Sequence, residues 1–113
     1  MTRRIASASS ALSALALCLL AAPSTVLAEG RSENYQTYCA PCHGDNGKAD
    51  TEQGKKKGAR DLSKAKWQAS VKDERLQESI TKGRGKMPAF GKKLSDDEIK
   101  ALVKEVRDLK ATS

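Results

Sequence analysis

Two cysteines and one histidine form the segment of this chain that is best suited to chemistry. Cys39 and Cys42 lie three positions apart, and His43 follows the second cysteine directly. This C-x-x-C-H spacing is typical of covalent haem attachment, in which each thiol adds to one vinyl group and the imidazole can ligate the iron. His43 is also the single histidine of the chain. The motif therefore predicts one covalently attached haem c, with Cys39 and Cys42 as anchors and His43 as an axial ligand.

Two other chemistries use similar residues. A thioredoxin-like redox pair needs a surrounding βαβ pattern, and none follows the motif here. A structural zinc site needs four ligands, so Cys39, Cys42 and His43 would require a carboxylate such as Asp45 or Asp50. The motif alone favours haem over both alternatives but leaves them open.

The beginning of the chain is typical of an export signal. Two arginines precede a short apolar run at 11–22, and small or modest residues suit cleavage after Ala28. The run is much shorter than the roughly 20 residues that span a bilayer, so we expect no stable membrane insertion. The sequence thus predicts a removed signal peptide at 1–28, a single mature domain at 29–113, and a periplasmic location.

The predicted mature domain contains few large apolar side chains. Of its 85 residues, 11 are Leu, Ile, Val or Phe, and 19 basic against 14 acidic residues give a net charge of +5. Such a composition ordinarily indicates disorder, yet the chain carries clear helix signals. A porphyrin at the centre would supply the apolar core that the side chains lack. We therefore expect the chain without haem to be largely unfolded.

Helix signals divide the mature domain into three main helices and one short helical turn. The predicted ranges are about 32–39, about 72–82 and a last helix that begins at Ser95, with the short turn near 64–68. Ser32 is the expected cap of the first helix, and Gly83 ends the second. Four glycines among the residues 44–58 predict a loop. The fold class is therefore predicted to be all-α, without strands.

The last helix has the clearest signals. Ser95 and Glu98 form a capping box, and Leu94 can pack on Ile99 as a hydrophobic staple. Five apolar residues recur with helical spacing along one face: Ile99, Leu102, Val103, Val106 and Leu109. This single apolar stripe is expected to be buried.

The second axial position of the iron has three candidate ligands, which are Met87, a lysine and water. Met87 lies in the glycine-rich loop 83–91, where the backbone can approach a flat ligand closely, and Pro88 stiffens the chain behind it. A lone methionine is more often core filler, but beside an attached haem this loop favours Met87. Without Met87 on the iron, the open position would suit a haem peroxidase or a gas-binding protein instead.

Taken together, these landmarks resemble the small monohaem class I c-type cytochromes of bacterial periplasms and photosynthetic lumens. The matching segments, in order, are Tyr35-x-x-x-Cys39-Ala40-Pro41-Cys42-His43-Gly44, Ala59-Arg60-Asp61-Leu62, Met87-Pro88-Ala89-Phe90 and Leu94-Ser95. The resemblance implies the class I cytochrome c fold, in which the first and last helices cross beside one haem. It also implies His/Met ligation by His43 and Met87, with thioether bonds to Cys39 and Cys42.

The chain departs from the family pattern at three places. Arg31 occupies a position that is usually glycine, and Glu105 occupies one that is commonly aromatic, so the contact between the terminal helices must differ. The proline whose carbonyl often orients the proximal histidine is missing, and an oxygen near Gly58 or Ala59 is expected to replace it. Trp67 is expected to pack in the core or near the haem edge.

A haem with both axial positions filled has no open site for a substrate. The predicted function is therefore soluble electron transfer by Fe(II)/Fe(III) cycling, and not catalysis. Candidate donors are a dehydrogenase or a quinol-oxidising complex, and candidate acceptors are an oxidase, a photosystem or another reductase. Seven lysines near the predicted haem loops favour partners with acidic docking faces: Lys48, Lys55, Lys56, Lys57, Lys86, Lys92 and Lys93. Nucleic-acid binding fits poorly because acidic residues are interspersed, and we expect a monomer.

Overall fold

The computed structural model describes residues 30–111, together with Thr2. Apart from that threonine, the predicted signal peptide at 1–28 lies outside the described residues. Helix α1 consists of a π-helical turn, Tyr35–Cys39, that continues as an α-helix over Ala40–His43, and it is followed by α2 (Glu52–Lys57), α3 (Ala65–Ser70), α4 (Asp73–Lys82) and α5 (Asp96–Asp108). No strand forms within 30–111, so the predicted all-α fold is confirmed. No helix in this range combines the length and the apolar character that a membrane crossing requires.

Helix α1 is longer than the sequence indicated. Ser32 caps it as predicted, because its Oγ accepts a hydrogen bond from the backbone N–H of Tyr35 at 3.1 Å. The predicted end at Cys39 is wrong, since the chain stays helical to His43 and leaves the helix at Gly44, where φ is 76°. Pro41 is tolerated because it lies in the first turn of the α-helical part, where a missing N–H costs little.

The prediction of a loop at 44–58 is wrong in its second half, which forms α2. The Thr51 hydroxyl accepts a hydrogen bond from the Gly54 N–H at 2.9 Å and caps the helix, and Gly58 ends it at a φ of 63°. A Cβ at Gly54 would collide with the carbonyl oxygen of Cys42. The glycine that suggested a loop is therefore needed for the close packing of α2 against α1.

Two of the three departures from the family pattern, Arg31 and Glu105, form polar contacts near the terminal helices. The N–H and Oγ–H of Ser32 donate to the two carboxylate oxygens of Glu105, at 2.7 and 2.6 Å. A carboxylate at this position also complements the dipole at the start of α1. Arg31 donates to the carbonyl oxygen of Asp45 at 3.0 Å, and its guanidinium lies 5.9 Å from the ring centroid of Tyr35. Glu105 thus caps the first helix from the last one.

Helix α5 supplies more buried apolar side chains to the core than any other helix. Its predicted capping box is present, with Ser95 Oγ accepting from the Glu98 N–H at 3.2 Å and the Glu98 carboxylate accepting from the Ser95 N–H at 2.8 Å. The five residues of the predicted apolar stripe are all buried. Helix α4 adds only Leu76 and Ile80. The core is therefore small, as the composition indicated.

A polar network holds α3 and the start of α4 on α5. The buried side chain of Gln68 donates to the carbonyl oxygens of Leu62 and Val106, at 2.8 and 2.7 Å. Arg107 donates to the backbone and side-chain oxygens of Gln68, at 2.7 and 3.0 Å, and to the Asp73 carboxylate at 2.7 Å. These bonds attach α3 and the start of α4 to α5.

Candidate functional site

The four predicted site residues line one cavity of about 670 Å³. Cys39, Cys42 and His43 line it from α1, and Met87 lines it from the loop after α4. This volume lies within the range of cofactor pockets. The fold therefore brings residues from opposite halves of the domain together around one cavity.

Apolar side chains form most of the cavity wall. They come from every helix except α2 and from three connecting segments: Tyr38, Leu62, Trp67, Val71, Leu76, Ile80, Phe90 and Val106. Trp67 is half-buried and belongs to this wall, so it packs both in the core and at the cavity. The Tyr38 and Phe90 rings are 5.4 Å apart between centroids and join α1 to the loop that carries Met87. Such a wall suits a large flat apolar ligand.

The imidazole of His43 has a defined orientation. Its Nδ1 lies 2.9 Å from the carbonyl oxygen of Arg60, and because a carbonyl can only accept, Nδ1 carries the proton. The lone pair is then on Nε2, which is the nitrogen available to a metal. Burial lowers the pKa of His43, although the bond to Arg60 opposes this, so the neutral ligand form is favoured. The accepting oxygen lies one residue beyond the predicted Gly58 and Ala59.

Backbone hydrogen bonds fix the loop that carries Met87. Arg84 and Met87 exchange two of them, at 3.0 and 2.9 Å, which closes a tight turn. The N–H of Phe90 then donates to the carbonyl oxygen of Ile80 at 2.9 Å and ties the loop to α4. Gly83, with φ at 74°, is required here because a Cβ would come within 2.6 Å of the Met87 carbonyl oxygen. The glycine-rich composition therefore reflects close backbone packing beside the cavity.

The structure does not favour the two alternative interpretations of the cysteines. Burial, with the carboxylate of Glu105 as a second cause, raises the pKa of the Cys39 thiol to about 12. A redox-active cysteine needs the opposite shift, towards a reactive thiolate. Among the described residues, no three His, Cys, Asp or Glu side chains lie together so that they could hold a metal ion. Asp45 and Asp50 therefore do not complete a zinc site with the motif.

Six exposed basic side chains line the cavity, and we call this set the basic rim. Its members are Lys57, Arg60, Lys64, Arg75, Arg84 and Lys86. Asp61 is the one acidic residue among the described residues of the lining. Of the rim, only Lys57 and Lys86 belong to the seven lysines predicted from the sequence, and that prediction included neither Lys64 nor the three arginines. The other five predicted lysines do not line the cavity.

The arrangement of side chains fits a haem c. Two thiols, an imidazole with a free Nε2 and a thioether line one apolar cavity, which is the donor set of a covalently attached, His/Met-ligated haem. The basic rim would supply positive charge to pair with the two carboxylates of a porphyrin. Each part of the cofactor therefore has matching chemistry among these residues.

Known proteins with similar sequences contain the same kind of domain. A family model described as cytochrome c oxidase, cbb3-type, subunit III matches residues 27–104. The cbb3-type cytochrome c oxidase subunit FixP of Azorhizobium caulinodans is 40% identical over 86 residues, which cover 75% of this chain and 28% of that subunit. Cytochrome c6 of Leptolyngbya boryana is 37% identical over 76 residues, which cover 66% of this chain and 82% of that protein.

A solved structure of a c-type cytochrome is also similar to this chain. The KustC0563 c-type cytochrome matches with a TM-score of 0.65 at 42% identity, covering 69% of this chain and 94% of that chain. The chain spans about a quarter of the length of the oxidase subunits that it matches. These similarities confirm the family resemblance and the fold that it implied. The chain therefore belongs to the cytochrome c family, and its cofactor is a covalently attached haem c with iron.

Proposed function

We propose that this protein is a periplasmic electron carrier in which Cys39 and Cys42 anchor the haem while His43 and Met87 ligate the iron. When bound, the haem supplies the one-electron chemistry of its iron. The observation that carries this proposal is the single cavity lined by all four side chains. Because His43 and Met87 would both hold the iron, no position would remain for a substrate, and the proposed role is therefore transfer and not catalysis.

The two axial residues have different tasks in this proposal. His43 presents a neutral Nε2, because its Nδ1 proton is held by the carbonyl oxygen of Arg60. Met87 provides a soft and neutral thioether, which favours the reduced iron and raises the potential. The hydrogen bonds of its loop limit backbone movement when the charge of the iron changes. A rigid ligand set of this kind keeps the reorganisation on electron transfer small.

The periplasmic location is supported by the sequence of 1–28, which has the charge and apolar pattern of an export signal. Cleavage after Ala28 would leave the domain 29–113 with both motif cysteines. An exported haem carrier would meet its partners outside the cytoplasm. The relatives that are named as oxidase subunits favour an oxidase-linked acceptor, and a dehydrogenase or a quinol-oxidising complex suits the donor side.

Carbon monoxide tests whether the iron has an open position. If Met87 occupies the second axial site, the reduced protein at neutral pH should bind no carbon monoxide, and its visible spectrum should stay unchanged. The Met87→Ala variant is the positive control because it opens that site. A spectral change in the unaltered reduced protein would argue against a carrier and for a gas-binding protein or a haem peroxidase.

The basic rim is the proposed docking face for an acidic redox partner. Within the described residues, Arg75 is the one rim member that forms an ion pair, with Glu78 at 3.1 Å. The remaining positive charges face solvent around the mouth of the haem cavity, so an electron crossing there passes beside them. Complementary charge would mainly speed the encounter.

Salt should slow electron transfer to such a partner. Because exposed charges are screened within about 8–10 Å at physiological ionic strength, the second-order rate constant should fall by roughly tenfold or more between low and moderate salt. The Arg84→Gln/Lys86→Gln variant should react more slowly and show a weaker salt dependence. The matched control is Lys100→Gln/Lys104→Gln, which removes two exposed charges of α5 outside the cavity lining. A rate that does not respond to salt would rule out charge steering.

A further inference from the structure

Arg60 and Trp67 form a stacked pair at the edge of the cavity. The guanidinium carbon of Arg60 lies 5.6 Å from the ring centroid of Trp67, and both residues belong to the cavity lining. Arg60 is exposed, yet within the described residues its head group forms no ion pair. The stack on the indole face thus gives this exposed side chain a defined contact at the edge of the cavity.

The backbone of the same arginine orients His43. Its carbonyl oxygen accepts the Nδ1 proton at 2.9 Å. On one side the N–H of Ala59 is tied to the carbonyl oxygen of Gly54 at 2.8 Å, and on the other side the N–H of Leu62 is tied to Gly47 at 2.7 Å. Between these two anchors, the direction of the Arg60 carbonyl depends on the backbone dihedral angles of Arg60 itself.

No proline restricts that stretch, because the chain has none between Pro41 and Pro88. The φ of Arg60 is therefore not locked by a ring. A side chain held over an indole limits the rotation of its own backbone, since the Cα carries both the side chain and the carbonyl carbon. The stack thereby provides the restraint that the backbone composition lacks.

We propose that Trp67 is a positioning residue that acts through Arg60 to hold the carbonyl oxygen that orients the imidazole of His43. The proposal rests on the proposed role of His43 as an iron ligand. A firmly held Nδ1–H bond makes an imidazole a stronger donor and favours oxidised iron, so a loosened bond should raise the reduction potential. Loss of a positive charge near the haem should lower the reduction potential. The two effects have opposite signs and can be separated by choice of variant.

The direct test is the exchange of the His43 Nδ1 proton with solvent, measured by NMR on the reduced, haem-loaded protein. Trp67→Leu and Arg60→Gln should each accelerate exchange by about two- to fivefold, the factor that corresponds to an exposed cation–π contact. Trp67→Phe and Arg60→Lys keep an aromatic face or the charge and should lie between these variants and the unaltered protein.

Arg75→Gln is the matched control. It removes a basic side chain from the same cavity lining, but Arg75 contacts neither His43 nor Trp67 in the described hydrogen bonds and stacked pairs. It should lower the potential without changing the exchange rate. Trp67→Leu carries no charge change, so it should raise the potential and accelerate exchange together.

Unchanged exchange in both Trp67→Leu and Arg60→Gln would overturn the positioning role. If Trp67→Leu does not fold, the comparison of Arg60→Gln with Arg60→Lys and of Trp67→Phe with the unaltered protein decides the question in the same way. A failure of the proposed ligation by His43 would be seen in a separate measurement. Ring protons of His43 that show no large paramagnetic shift on oxidation would reject His43 as a ligand, whereas a normal shift with unchanged exchange rejects only the role of Trp67.

Discussion

Replacing Met87 with alanine is expected to remove the sulfur-to-iron charge-transfer band of the oxidised protein and to lower the reduction potential. The drop should be roughly 0.1–0.3 V, a part of the range of about 0.8 V over which axial ligands set haem potentials. The physical reason is that a neutral thioether favours reduced iron, whereas water or hydroxide in its place favours oxidised iron. Visible spectroscopy and a redox titration measure both effects.

The neighbouring residue provides the control for this experiment. Lys86→Ala removes an exposed basic side chain one position away but leaves the sulfur and the paired turn of Arg84 and Met87 in place. It should keep the charge-transfer band, which also tests whether this lysine is the ligand instead. A Met87→Ala protein with an unaltered band and potential would reject Met87 as the axial ligand.

The chain without haem is expected to be largely unfolded. In the native fold the haem would fill a cavity of about 670 Å³, far above the roughly 150 Å³ of an engineered cavity that a folded protein tolerates. Cavities left by single leucine truncations already cost about 3–5 kcal/mol, while whole domains are stable by only about 5–15 kcal/mol. The few large apolar residues of the mature domain cannot offset such a void.

The Cys39→Ser/Cys42→Ser variant, produced without added haem, is the sample that tests this expectation. Its far-UV circular dichroism should show little helix, and a protease should degrade it at least tenfold faster than the haem-loaded chain under the same conditions. The two single variants keep one anchor each and should retain more haem and more structure than the double variant. A compact, protease-resistant double variant would show that the polypeptide folds without its cofactor.

The sequence was sufficient to predict features that depend on neighbouring residues. Cys39, Cys42 and His43 are nearly contiguous, so their chemistry could be predicted directly from their spacing. The capping box of Ser95 and Glu98 likewise defines the start of α5 locally. The place of Met87 beside the cavity could be predicted because the glycines around it are themselves a sequence signal of close backbone packing.

Features that depend on distant contacts could not be predicted in this way. The glycine at position 54 looked like a loop signal because its neighbour across the fold, the Cys42 carbonyl, is not visible in sequence. The cap that Glu105 gives to Ser32 joins residues 73 positions apart. The oxygen that orients His43 was expected near Gly58 or Ala59 and belongs to Arg60, one residue further along, because the sequence does not show which backbone carbonyl faces the ring.

The basic rim could not be predicted from the sequence for the same reason. Its six members come from separate segments between Lys57 and Lys86, and only the folded chain shows that they surround one opening. Basic residues beside Asp61 and in the loop before Met87 were visible in the sequence, but their common location was not. The charge of the proposed docking face is thus a property of the fold and not of any one segment.

The most direct test of the central claim is the visible spectrum of the purified protein, recorded reduced and oxidised and then again after acid–acetone extraction. Attachment through Cys39 and Cys42 predicts c-type bands that stay with the polypeptide after extraction, and ligation by Met87 predicts the sulfur band in the oxidised state. A folded protein without colour, or one that loses its haem to the solvent phase, would contradict the account.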